Sequence, residues 1–99
     1  MMTKSHTSSS CAIEKTANIL SDPWTMLIMR DVLIGAKRFC ELERSLEGIS
    51  TRTLTLKLKK LESEKLLTKT KEGAYQATEK GKGLRAVETA MRKYGEKFL

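Results

Sequence analysis

Leu54, Leu58 and Leu61 recur at i, i+4 and i+7, one stripe of a 3.6-residue period inside the stretch Ile49 to Leu67. The spacing predicts an amphipathic helix. Ser50 is placed to cap its first turn, so Thr51 is the expected first helical residue. At about 100° per residue, Arg52, Leu56 and Lys59 point away from the leucines. Thr53 and Lys60 take one shoulder; Thr51, Thr55 and Glu62 take the other. Upstream, Cys11–Leu20 predicts a short helix with Ile13, Ala17 and Leu20 on one face. Asp22-Pro23 predicts the start of a second helix, because aspartate is a good N-cap and the missing proline N–H is no loss at the first helical position. The run from Trp24 to Ile34 is apolar nearly all round, which marks a central core helix ended by Gly35. A third helix, about Arg38–Leu46, is expected to bury Phe39, Leu42 and Leu46. Glu47-Gly48 breaks it before Ile49.

Beyond Leu61 the periodicity changes. Residues 66–71 and 74–78 flank Glu72-Gly73, with β-branched and aromatic residues that predict a two-stranded hairpin. Lys69 and Lys71, two apart, are expected on one face of it. Thr78 should cap a last helix from Glu79 to about Phe98, with Gly81 and Gly83 weakening its first turn. Leu84, Val87, Met91, Tyr94 and Phe98 form a long apolar seam on it. A small domain can hardly hide such a stripe, so a second copy of the chain is the expected cover. Two helices joined by a short Gly-containing turn, the second basic and Ser-capped, give the helix-turn-helix pattern, and the hairpin is then a wing. The expected fold is mainly α with a small β-hairpin, a single winged helix-turn-helix domain over residues 11–99. Residues 1–10 (MMTKSHTSSS) are polar, low in complexity and expected to be a disordered tail, with the only histidine, His6.

Charge sharpens this picture. The 99-residue chain carries a formal net charge of +7. Ser50–Lys71 alone has seven Lys or Arg (52, 57, 59, 60, 65, 69, 71) against two Glu (62, 64), five of those seven net charges. Concentration on one helix and its neighbour favours a polyanionic partner. A leucine-rich back with a basic, threonine-bearing front suits a DNA major groove, where Arg and Lys meet phosphates or guanine and Thr or Leu meets a thymine methyl. A solvated face that is simply basic gives the same pattern, and the stretch alone does not choose. No apolar run approaches the ~20 residues of a membrane span, and no signal-peptide core is present, so a cytoplasmic protein is expected.

No enzyme site assembles from these residues. A nucleophilic cysteine needs a nearby base, and the single histidine is in the tail. Two cysteines and one histidine match no zinc spacing, Gly81-Lys82-Gly83 is no phosphate loop, and neither metal nor cofactor is expected. Cys11 is the one residue with chemical potential. It stands at a helix start, where backbone N–H groups favour a thiolate, beside an exposed tail. Physics alone favours the plainer role of a small residue closing the helix. Cys40, next to Phe39, is expected to be buried and inert.

The stretches CAIEKT, WTMLIMRDVL, KRFCEL, GISTRTLTLKLKKLE and YQATEKG, in this order, resemble the HxlR family of winged helix-turn-helix transcriptional regulators. The resemblance runs from Cys11 to Leu99. It implies a homodimer formed by the first and last helices, with Ile13 joining the seam residues, on a pseudo-palindromic operator in double-stranded DNA. It implies that the helix from Ser50 reads the major groove and that the hairpin is the wing; on that expectation Ser50, Thr51 and Arg52 hold or read the near end, Thr55, Leu56 and Lys59 face bases, and Lys60, Lys69 and Lys71 bind phosphates. It also implies that Cys11 matches the cysteine through which some members sense oxidants or electrophiles. Two departures stand out: Ala12 follows that cysteine where the family usually has proline, and the wing is short. The competing expectation is a winged-helix interaction module whose basic face docks an acidic protein or RNA, without sensing.

Overall fold

The computed structural model describes residues 11–99, and the expected tail 1–10, His6 included, lies outside the described residues. Eight elements follow in order: α1 (Ala12–Ile19), α2 (Pro23–Ile34), α3 (Phe39–Ser45), α4 (Thr51–Ser63), β1 (Leu67–Lys69), β2 (Tyr75–Ala77), α5 (Glu79–Lys82) and α6 (Arg85–Phe98). Asp22 opens α2 as expected: its Oδ1 accepts the Thr25 N–H at 3.0 Å, and Pro23 is the first helical residue. Ile28 and Met29 of α2 are fully buried, and α3, α4, β2 and α6 all pack on this helix. Leu42 and Leu46 from the α3 side and Leu54, Leu58 and Leu61 from α4 complete one contiguous core. Burying a leucine of this kind contributes roughly 1.5–3 kcal/mol, so the α4 stripe is what fixes that helix to the domain.

The turn between α3 and α4 is short. Ile49 N–H donates to the Leu46 carbonyl at 3.0 Å, and Gly48 takes φ +89°, a conformation that a β-carbon disfavours. Ser50 Oγ then accepts the Thr53 N–H at 3.0 Å and starts α4 at Thr51. The far end of α4 closes with Lys65 in the left-handed region at φ +66°. Leu66 N–H reaches the Leu61 carbonyl and Lys65 N–H the Glu62 carbonyl, the paired bonds of a Schellman motif.

The hairpin pairs Leu67 with Ala77, Thr68 with Gln76 and Lys69 with Tyr75. Its turn is longer than the expected Glu72-Gly73. Thr70 N–H donates to the Ala74 carbonyl, Gly73 N–H returns to the Thr70 carbonyl, and Gly73 has φ +85°. Lys71 therefore sits in the turn at the hairpin tip and not on the Lys69 face of a strand. The segment after Gly35 also does more than turn: Lys37 and Tyr75 exchange both backbone hydrogen bonds, at 2.9 and 2.7 Å, which ties the turn end of the hairpin to the entry of α3.

Three expectations need correction. The single last helix is two. A β-carbon on Gly81 would lie 2.2 Å from the Leu66 carbonyl oxygen, so α5 is pressed onto the hairpin root. Leu84 N–H then bonds Gly81 with i→i+3 spacing and the chain turns into α6. Second, the seam is not all available to a partner. Leu84 is 9% exposed inside its own core and Val87 packs against that core. Met91, Tyr94 and Phe98 remain exposed, because α6 runs past the end of the surface it covers. Third, Cys40 is exposed, since the α3 face that packs inward presents Leu42.

Candidate nucleic-acid interface

The core leucines of α4 decide what its other side shows. With Leu54, Leu58 and Leu61 inward, Arg52, Leu56 and Lys59 are exposed, and Leu56 keeps 55% of its surface accessible. A single exposed leucine is ordinary on a protein surface. Here it lies between Arg52 and Lys59 on one helical face. Thr55 and Lys60 are half-buried on the shoulders.

The hydroxyls at the start of α4 are already engaged. Ser50 Oγ is the cap and donates to Thr53 Oγ1 at 3.0 Å. Thr51 donates to Glu43 Oε2 at 2.7 Å, which ties α4 to α3. Thr55 donates to the Thr51 carbonyl at 2.8 Å. These side chains hold the helix start in shape, and each hydroxyl oxygen keeps acceptor capacity.

The cations behave differently. Among the described residues, Arg52, Lys59, Lys60, Lys69 and Lys71 form no ion pair. Lys69 rests its ammonium 5.2 Å from the centre of the Tyr75 ring, a contact that leaves its charge exposed. Three cations elsewhere are partnered: Arg30 with Asp31, Lys82 with Glu79, Arg92 with Glu88. Lys57 belongs to this second group. Its ammonium binds Asp22 Oδ2, so it does not stand with the free cations of its own helix. Burial would raise the Asp22 carboxyl. The Lys57 hydrogen bond, the Thr25 N–H, the Lys57 charge and the Thr25 hydroxyl together outweigh burial and hold it below 3.8.

Charge counting from Ser50 onward misses Arg38. It is the exposed N-cap residue of α3, next to the Lys37–Tyr75 bridge at the turn end of the hairpin. The signal was a long-range backbone pairing that local patterns do not carry.

Cys11 is exposed as the N-cap residue of α1, and its side chain makes no capping hydrogen bond. Ile13 is 81% exposed on the same helix. A groove of about 620 Å³ runs between the α1–α2 corner and α6, floored by Leu20, Met26, Leu27 and Met91. Among the described residues, no group of His, Cys, Asp and Glu could hold a metal ion, and no helix is long and apolar enough to cross a membrane.

A Ser-capped helix with a free basic face, a glycine turn before it and a hairpin after it define a winged helix-turn-helix protein. Residues 19–99 match the family model described as HxlR-like helix-turn-helix. The chain belongs to the HxlR family of winged helix-turn-helix transcriptional regulators. It is similar to an HTH-type transcriptional regulator of Synechocystis, 30% identical over an alignment of 95 positions that covers 90% of this chain and 70% of that protein. The crystal structure of quinone-bound YodB from B. subtilis superposes with a TM-score of 0.79 at 31% identity, covering 87% of this chain and 97% of YodB. The redox regulator HypR in its reduced form superposes at 0.80 with 27% identity, covering 88% and 92%.

Proposed function

We propose that this regulator acts as a homodimer on a pseudo-palindromic site in double-stranded DNA. The basic face of α4 and the hairpin carries the reading: Arg52, Lys59, Lys60, Lys69 and Lys71 lie on two successive elements, and among the described residues no carboxylate pairs with any of them, which suits a polyanion. In this reading α4 enters the major groove. Ser50, Thr51 and Arg52 hold or read its near end, Thr55, Leu56 and Lys59 face bases, and Lys60, Lys69 and Lys71 bind phosphates. Arg38, beside the turn end of the hairpin, adds a further phosphate contact. Exposed Ile13, Met91, Tyr94 and Phe98 supply the dimer contact, which sets two α4 helices in successive grooves about 34–36 Å apart.

Cys11 is the sensing residue in this reading. Its exposure at the start of a helix that bears an apolar dimer residue supports the role, as does the likeness to a quinone-bound regulator and a redox regulator. Duplexes selected from a random pool should bind tightly at moderate salt by fluorescence shift, while an equally charged RNA hairpin should not. No duplex binding would remove the DNA reading. Oxidant should release wild type from the selected duplex and leave Cys11→Ser bound; equal release of both would remove Cys11 as the switch.

A further inference from the structure

Lys57 is the cation of α4 that the DNA face does not use. Its Nζ lies 2.5 Å from Asp22 Oδ2, and the two side chains are only 25% and 22% exposed. Asp22 is itself held. Its other oxygen, Oδ1, accepts the Thr25 N–H and so is fixed to the first turn of α2. Asp22 follows the corner Leu20-Ser21 that joins α1 to α2, and it forms part of the wall of the groove beside α6. Among the described residues, Lys57–Asp22 is the only ion pair that α4 makes with any other element. A half-buried pair of this kind is screened less than a surface pair, and losing one member leaves the other charge poorly solvated.

We propose that Asp22 and Lys57 are positioning residues: a strut that fixes the roll of α4 about its leucine stripe against the α1–α2 corner. The leucines hold α4 to the core but do little to fix its roll, because apolar contact is non-directional, and the Thr51–Glu43 bond ties only its first residue. The strut adds a directed bond on one shoulder of the helix. It thereby aims Arg52, Leu56 and Lys59, while Lys57 itself touches no phosphate. The inference rests on the DNA-binding reading above.

The test is a double-mutant cycle on the duplex that wild type selects from a random pool. Asp22→Asn keeps an effective N-cap for α2 and removes only the charge, and Lys57→Met keeps the apolar stem. Each should lower affinity for that duplex by about five- to tenfold, and the double variant should lose no more than either single one. The slope of log K against log salt should stay unchanged in all three, because no phosphate contact is lost. Lys57→Arg, which can still reach Asp22, should restore affinity. Additive losses, an unaffected Asp22→Asn, or a slope reduced by about 0.9 in Lys57→Met alone would overturn the strut, the last by making Lys57 a phosphate contact. Amide exchange without DNA separates this proposal from the DNA reading. Both single variants should speed exchange across Thr51–Leu58 to the same extent, with thermal unfolding still cooperative. Unchanged exchange there overturns the strut even if wild type binds no duplex at all.

Discussion

Lys65 holds the left-handed conformation that ends α4, at φ +66°. A β-carbon there costs about 1–2 kcal/mol relative to glycine, and the Schellman bonds around it offset that cost. Lys65→Gly should therefore raise the urea midpoint, adding about 1 kcal/mol of stability; a lower midpoint would mean that the lysine side chain has a stabilising role. At Arg52 the question is function. The side chain is exposed, without an ion pair among the described residues, and in the first turn of the helix. If it pairs with guanine, Arg52→Ala should lower discrimination between the selected duplex and a scrambled one by about 1–3 kcal/mol, read from competition binding. A specificity ratio equal to wild type would remove Arg52 from base reading. Leu56, Lys59 and Arg52 are legible together in the sequence because a helical period and three leucines are enough to say which way they face.

Helix starts are legible for a related reason: capping is local chemistry. Asp22-Pro23 and Ser50 each act on an N–H three residues on, and both helices begin where those residues place them. What sequence patterns miss involves partners far apart in the chain. Lys57 reads as part of a basic face until Asp22, 35 residues away, takes its ammonium. Gly81 reads as a weak helical residue, whereas its missing β-carbon is what lets α5 approach the Leu66 carbonyl. Leu84 has the spacing of a dimer seam, yet the turn before α6 delivers it to the chain's own core. The capping and pairing at Asp22 also make the α2 start sensitive to acid. Its carboxyl titrates below 3.8 in the folded protein, so its stabilisation is fully present above the unfolded value near 3.9 and is lost as pH falls through the folded value. Between about pH 5 and pH 2, the urea midpoint of wild type should fall more steeply than that of Asp22→Asn. Parallel curves would mean that the carboxylate contributes nothing at this helix start.

For the whole molecule, two surfaces are left incomplete: a free basic face on α4 and the hairpin, and an apolar one on α1 and the far half of α6. The apolar residues are the reason to expect two chains. Tyr94 and Phe98 stack with ring centres 5.0 Å apart on the exposed side of α6, and both are more than half accessible. Phe98→Asp should turn a dimer into a monomer in sedimentation equilibrium and weaken binding to a two-half-site duplex far more than to a single half-site. A variant that stays dimeric would move the contact elsewhere.

The free cations are the centre of the account, and salt reads them directly. Binding of wild type and of the triple variant Arg52→Ala, Lys59→Ala, Lys60→Ala to the selected duplex should be measured from low to moderate salt. Log K for wild type should fall linearly with log salt, by about 0.9 for each phosphate neutralised. The triple variant should bind more weakly and with a clearly shallower slope. Equal slopes for the two proteins would contradict the claim that this face of α4 meets DNA.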